Sequence, residues 1–446
     1  MKPIIKGLAG IAFIASPALA PQAWASSPNL FGFSPESTAL SRSNLADPSP
    51  AESALSNAAA AASAPGLRLR LGYGYGALNL RVNGIEAPLA NASGIHFAAQ
   101  FAHAFGKSNA IGLALGLYMP DSSLATLSFK PATEPQFPLY EAVLQRTAAN
   151  AVAAFRLGPF SFGAGLGLGL SVAGEGTSFA LEQDASGTRA ESAMDIELPY
   201  RFSAILGARF ALKNIVAGLC FQSAMAVDTA LENNISIGLI DNPLQGKTSV
   251  GLFGASGYEP ARLASAVSVH FSQSLRAHAA LELAFYGAAP PPVADVHFDI
   301  ALGTVPSQFE ARFIEPRFRS TLSPRFGLEY KRPIKELQSK ENNENTIDLD
   351  EWQWALRAGY GYSPSPLPKQ TGLTSYADSD KQVFSLGGGY RLGKALGVEL
   401  FINGAMALHW LSTRKEQKPS DALPHSSYQV DGALYYASLG MEALWR

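Results

Sequence analysis

The sequence predicts an all-β protein: a 14-stranded antiparallel transmembrane β-barrel with a small N-terminal helical hatch in its lumen. Three observations predict it. The chain opens with an export signal. Many segments alternate apolar with small or polar residues at a period of two. Fourteen such segments are joined by connections that alternate between short and long.

The composition sets the frame. Of 446 residues, 47% are hydrophobic and only 16% charged, and the net charge is −2. An ordinary soluble domain is about 25% charged. The near-neutral balance lacks the basic footprint of nucleic-acid binding. The one cysteine, Cys220, excludes an internal disulfide framework and a Cys-cluster metal site.

Residues 1–25 read as a signal peptide: Lys2 and Lys6, an apolar run from Ile4 to Ala20, then Ala23-Trp24-Ala25 before Ser26. No later stretch is long and apolar enough for a membrane helix, which needs about 18 consecutive apolar residues. Export without spanning helices leaves a secreted β protein or a membrane barrel. Alternation separates the two. From Leu67 to Tyr75, Leu67, Leu69, Leu71, Tyr73 and Tyr75 oppose Arg68, Arg70, Gly72 and Gly74. From Val398 to Trp410 one face is Val398, Leu400, Ile402, Gly404, Met406, Leu408 and Trp410. A water-soluble sandwich would carry charge on its outer face, whereas here the polar face is small and sparsely charged, as a lumen requires. Trp352 and Trp354 begin one strand, and Tyr360 and Tyr362 end its same face. About ten residues between such girdles span roughly 25 Å of membrane normal.

Strands are expected at 67–82, 94–106, 109–120, 146–158, 160–174, 194–213, 214–228, 261–273, 275–288, 322–334, 352–364, 381–393, 396–410 and 430–446, making 64–446 the barrel domain. Short periplasmic turns and long extracellular loops account for the alternating connections. The charged segment 335–351 is the exception, a long connection on the periplasmic side. Residues 26–63 show no period-2 pattern and are rich in Ala and Ser, so they are expected to fold into the lumen as the hatch.

Substrate-binding candidates come from loops and lumen. Two long loops carry apolar clusters that include Leu139, Tyr140, Val143, Leu144, Ile237, Leu239, Leu252 and Phe253. Exposed apolar clusters of this kind usually mean binding. Among inward-facing arginines, Arg209, Arg325 and Arg357 are candidates for a carboxylate head, since guanidinium binds carboxylate bidentately. Inward glutamates such as Glu282, Glu329 and Glu442 offer the alternative that these charges pin barrel to hatch. The run Gly163, Gly165, Gly167, Gly169 alternates with leucines and no helix pattern follows, so it is strand rather than nucleotide loop. The histidines lack ligand spacing. No metal, cofactor or catalytic group is expected.

Three stretches resemble the FadL-type outer-membrane transporters of long-chain fatty acids and other hydrophobic compounds. Ala39 to Asp47 followed by Ser53 to Ala59 is similar to the family's N-terminal hatch, with Ala58 where the family's Asn-Pro-Ala triplet has proline after Asn57. Gly112 to Pro120 is similar to the family's third strand. Leu356 to Pro366, Asp378 to Asp380 and Phe384 to Tyr390 resemble its tyrosine-rich strand, Pro-Ser-Pro loop and glycine strand. The resemblance implies passive uptake, a gating role for the hatch around Asn57, and lateral exit through the barrel wall near a kink in the third strand. Gly112, Gly116 and Pro120 are where such a kink would form, because Gly and Pro interrupt a ladder. It implies a non-enzymatic monomer of the bacterial outer membrane. The expected partners are hydrophobic small molecules, outer-membrane lipid and lipopolysaccharide, and the barrel-insertion machinery, with no nucleic acid. A general diffusion porin or a structural, adhesin-type barrel are the alternatives.

Overall fold

The computed structural model describes residues 27–106, 108–121, 134–140, 147–170, 172–184, 187–197, 200–239, 246–289, 295–302, 305–311, 317–334, 352–395 and 397–445. The expected signal peptide, the charged segment 335–351, Val143 and Leu144 lie outside these residues.

The wall has fourteen strands: β1 (Gly66–Val82), β2 (Ala92–Phe105), β3 (Asn109–Pro120), β4 (Ala148–Leu157), β5 (Phe160–Leu170), β6 (Tyr200–Ala211), β7 (Ile215–Gln222), β8 (Ala261–His270), β9 (Leu275–Phe285), β10 (Thr321–Pro333), β11 (Trp352–Ser363), β12 (Lys381–Ala395), β13 (Val398–Gln417) and β14 (Ser427–Trp445). Each pairs antiparallel with its neighbours in sequence. The cylinder closes where β1 meets β14, from Leu67↔Trp445 to Val82↔Val430. Closure leaves no wall edge, which hydrocarbon would leave without hydrogen-bond partners. The alternation divides as expected: Leu71, Leu113, Leu356, Leu386, Met406 and Leu439 face outward and exposed, while Arg68, Arg70, Gln100, Glu282, Arg325 and Glu442 face inward and buried.

A second, six-stranded sheet stands beyond the long-connection end. It comprises Val172–Asp184, Gly187–Glu197, Met225–Leu239, Gly246–Glu259, Asp295–Leu302 and Val305–Ala311. Sequence reading assigned most of these residues to loops. Their turn-forming runs, such as Glu232-Asn233-Asn234, hide the pairing, which is dictated by hairpins growing out of the wall. The expected strand 194–213 is split accordingly, its first residues up to Glu197 pairing in the outer sheet and Tyr200–Ala211 in the wall.

The hatch fills the lumen. It contains α1 (Ser27–Phe31), α2 (Pro35–Ala39) and two 3-10 turns, Pro50–Leu55 and Ala58–Ala62. Ser34 caps α2 by accepting from the Ser37 amide at 3.1 Å. The short turns leave carbonyls unbonded, and wall side chains take them: Gln100 donates to Ala61 O at 2.8 Å and Asn150 to Ala54 O at 2.9 Å. Ser41 and Arg42 adopt left-handed φ angles of 50° and 63° at the sharp turn after α2. Such residues cost about 1–3 kcal/mol each; here the buried Arg42–Glu282 ion pair at 2.8 Å offsets the strain.

The hatch and the wall meet backbone to backbone because alanines face glycines. A Cβ on Gly112 would fall 2.1 Å from Ala61 O, and one on Gly207 2.3 Å from Asn57 Oδ1. Gly112→Leu is therefore expected to leave the barrel assembled, read by its heat-modifiable mobility. It should weaken hatch docking by about 1–3 kcal/mol, read as faster proteolysis within residues 27–63.

Candidate functional site

Above the hatch, buried aromatic side chains fill the lumen. Phe31, at the end of α1, stacks on Tyr436 of β14 with centroids 4.4 Å apart and meets His409 of β13 edge-on at 5.0 Å. Phe31 and Tyr436 belong to one buried apolar cluster that continues upward through Leu80, Leu411, Tyr428, Tyr376 and Phe137. The hatch is thus the floor of a greasy column.

A roof closes the column. Gln136 pairs with the 375–377 backbone: its amide donates to Ser375 O at 3.1 Å, and its carbonyl accepts from Ala377 N at 2.8 Å. Tyr140 donates to Asp378 Oδ1 at 2.9 Å and accepts from Lys381 Nζ at 2.8 Å. Leu139 is buried beside it. The expected binding residues Leu139 and Tyr140 therefore face the column from its roof. Ile237, Leu239, Leu252 and Phe253 lie on the Met225–Leu239 and Gly246–Glu259 strands of the outer sheet, with their side chains outside the described set.

A cavity of about 50 Å3 lies between hatch and wall, lined by Leu45 and Leu55 below and by Leu168, Ile205, Cys220, Phe221 and Met225 at the side. Arg262 projects into it from β8, only 7% exposed, and its Nε and Nη1 have no hydrogen-bond partner. A buried unsatisfied donor costs about 1–3 kcal/mol or more, so an acceptor arriving here is favoured. Sequence reading missed Arg262, although its parity in the expected strand 261–273 marks it as inward.

The three arginines singled out from sequence are engaged with the hatch or with wall carboxylates. Arg209 pairs with Asp47 at 2.6 Å. Arg325 pairs with Glu282 at 3.3 Å and donates to Ser41 O at the same distance. Arg357 pairs with Glu329 at 3.1 Å and donates to Asn403 at 3.1 Å. Asn57 holds the turn of the hatch: its Oδ1 accepts from Ala59 N at 3.1 Å, and its Nδ2 donates to Leu45 O and Ala208 O at 3.2 Å. Gly112 and Gly116 face the hatch, and Pro120 ends β3. The ladders on both sides of β3 run without a register shift.

A further knot joins hatch to wall. Arg70 of β1 bonds Glu36 and Glu52 of the hatch, each at 2.8 Å, together with Glu442 of β14. Burial and the charge of Glu36 push the Glu52 carboxyl up to about 7, against the pull of Arg70. Burial opposes ionisation of Asp47 as well, but Arg209 and the His270 hydrogen bond hold it well below the carboxylate range.

No protein-family model and no curated protein matches the sequence. Among solved structures, a FadL homologue of Pseudomonas aeruginosa matches with a TM-score of 0.53 at 12% identity, over 92% of this chain and 98% of that one. The toluene transporter TodX of P. putida matches at 15% identity and a TM-score of 0.49, over 94% and 99% of the two chains. The toluene transporter TbuX of Ralstonia pickettii does so at 13% and 0.49, over 94% and 100%. The chain therefore has the fold of the FadL homologue, a fourteen-stranded barrel of the bacterial outer-membrane kind.

The knot has a pH signature. Glu52 rises from about 4.5 when free to about 7 when docked, so its contribution to docking is complete below 4.5 and is lost as pH rises through 7. Hatch opening, read as transient conductance in planar bilayers, is expected to be several-fold more frequent at pH 8 than at pH 5. Glu52→Gln is expected to flatten that dependence.

Proposed function

We propose that the protein takes up hydrophobic compounds, long-chain fatty acids or similar solutes, passively across a bacterial outer membrane. The observation that carries this reading is the buried column of aromatic and aliphatic side chains running from roof to hatch. An open, water-filled pore gives an apolar solute no favourable surface. Burying part of an alkyl chain in this column contributes several kcal/mol at about 25 cal/mol per Å2. The plugged lumen also speaks against a general porin, and the roofed column has no role in an adhesin. The barrel shared with a FadL homologue of Pseudomonas aeruginosa supports a transport role.

The solute leaves sideways. The lumen cavity reaches the wall at Ile205 and Gln222, the last pair of the β6–β7 ladder. One step higher, the Ser223 amide donates to Ala204 O at 2.9 Å, while the Ala204 amide donates to the Ser223 hydroxyl at 2.8 Å rather than to a backbone carbonyl. A ladder that ends just above a cavity opens at less cost than one that continues, and β3 is paired with β2 throughout and with β4 as far as Tyr118. We therefore place the exit between β6 and β7, with Arg262 receiving a polar head group on the way.

Uptake of labelled oleate and toluene by cells with and without the gene tests the reading; uptake unchanged by deletion defeats it. Arg262→Gln is expected to reduce oleate uptake about tenfold, the loss of one charge-assisted hydrogen bond, and to spare toluene. A disulfide across Ala204→Cys and Ser223→Cys, in a Cys220→Ala background, is expected to block uptake of both until reduced.

A further inference from the structure

At the short-turn end of the barrel a second cavity, of about 630 Å3, lies under the hatch. It is separate from the aromatic column and from the Arg262 cavity. Among the described residues lining it are six arginine or lysine side chains, against the carboxylates of Glu36, Asp47, Glu329 and Glu442. The imbalance concentrates on one wall. There Glu329 is ringed by Arg357 at 3.1 Å, Lys331 at 3.2 Å and Arg276 at 3.7 Å. Lys331 and Arg357 also stand over the Trp352 ring, at 5.9 and 5.8 Å from its centroid. Arg156 stands on β4 and spends one Nη1 hydrogen on Ser63 O at 2.7 Å, while its Nε is buried without a partner.

An independent observation points into the same space. His278 lines the cavity at 4% exposure, and its Nε2 has no partner. Its Nδ1 is bonded to Ser268 Oγ at 2.8 Å. When Ser268 donates to Nδ1, the imidazole hydrogen sits on Nε2 and is aimed at the cavity. Such a buried donor beside surplus guanidinium groups is a site built for oxygen acceptors.

We infer that this vestibule binds a phosphate group. A surplus of two positive charges matches the charge of a phosphate monoester, which carries about −1.5 to −2 at neutral pH. Arginine forks recognise its oxygens bidentately. The mouth faces the compartment below the membrane, so the phosphate arrives either on a small soluble molecule or as the headgroup of an inner-leaflet lipid. The site does not depend on the uptake reading. It lies on the far side of the hatch from the column, and its test uses no transported solute.

Calorimetry on the full-length barrel at physiological salt provides the test. One arm titrates inorganic phosphate and glycerol 3-phosphate into detergent-solubilised protein. The other compares nanodiscs with and without phosphatidic acid. Saturable binding in either arm is expected, and the arm that binds identifies the source. Arg156→Gln and Arg276→Gln are each expected to weaken it about tenfold, and Arg81→Gln, in an exposed pair at the opposite end, to leave it unchanged. Heat-modifiable mobility verifies that each variant is folded. On the unaltered chain, phosphate is expected to protect Arg156 from phenylglyoxal, read by mass spectrometry. Absence of saturable binding in both arms, binding that both variants leave within twofold, or modification of Arg156 indifferent to phosphate overturns the inference.

Discussion

Hydrocarbon offers a backbone amide nothing to bond with, and everything in this protein follows from how the chain meets that constraint. The ladder must run all the way round, so β14 returns to β1 along their whole shared length. Closing the ladder creates a lumen, and period-2 alternation sends every second side chain into it. Those inward residues must then be solvated, paired or covered. This chain covers them with its own N-terminal segment. The luminal glycines, the alanines of the hatch and the buried ion pairs are three parts of one solution: small residues let two backbones approach, and charges fix their register.

The ion pairs deserve energetic weighing, because they decide whether the hatch is a permanent cork or a removable one. Taking a guanidinium and a carboxylate out of water costs several kcal/mol per ion, and their attraction roughly repays it. Arg42–Glu282 and Arg209–Asp47 each pair one hatch charge with one wall charge, and separating them strands both in the lumen. The Arg70 knot is different. Three carboxylates converge on it, with Arg68 at 3.5 Å from Glu442, so one carboxyl is held best as the neutral acid. That is the physical reason Glu52 binds its proton more tightly than a solvated glutamate. The knot is thus the part of the interface whose strength changes near neutrality, while the two simple pairs hold.

The wall was legible in the sequence almost strand by strand, because lipid outside and hatch inside impose opposite demands on alternate residues. Leu67 to Tyr75 and Val398 to Trp410 could be assigned to faces from their letters alone. The outer sheet was not legible: in strands such as Met225–Leu239 the apolar face of Val227, Leu231, Ile235, Ile237 and Leu239 is interrupted by Thr229 and Asn233, and the polar run Glu232-Asn233-Asn234 reads as a turn. Within the lumen, parity identified Arg209, Arg325 and Arg357 as inward but left both alternatives for their role open. Only coordinates show each already engaged by a carboxylate. Arg262 was equally inward by parity. What distinguishes it is the absence of a partner on Nε and Nη1, a property of the packed structure that no spacing rule carries.

A similar argument bears on the third strand. Gly112, Gly116 and Pro120 read as ladder-breakers, and in an open sheet two glycines and a proline in one short strand would weaken pairing. Here both glycines are paired on both sides, β3 pairing with β2 throughout and with β4 as far as Tyr118, and the glycines answer a different demand, the approach of Ala61 and Leu55 from the hatch. A residue that lacks a side chain to weaken a strand is the same residue that lacks one to obstruct a plug, and sequence cannot say which purpose applies. The stop of the β6–β7 ladder lies one rung above Ile205 and Gln222, after the Ser223 amide has bonded Ala204 O at 2.9 Å and the Ser223 hydroxyl has taken the Ala204 amide, and these pairs carry no glycine or proline. It arises because the chain beyond β7 leaves to join the outer sheet, as the segment following β5 also does, so that Met225–Leu239 and Val172–Asp184 run side by side and β6 loses its upper neighbour. The end of the ladder at that point is a consequence of topology above the membrane, just above the level of the lumen cavity.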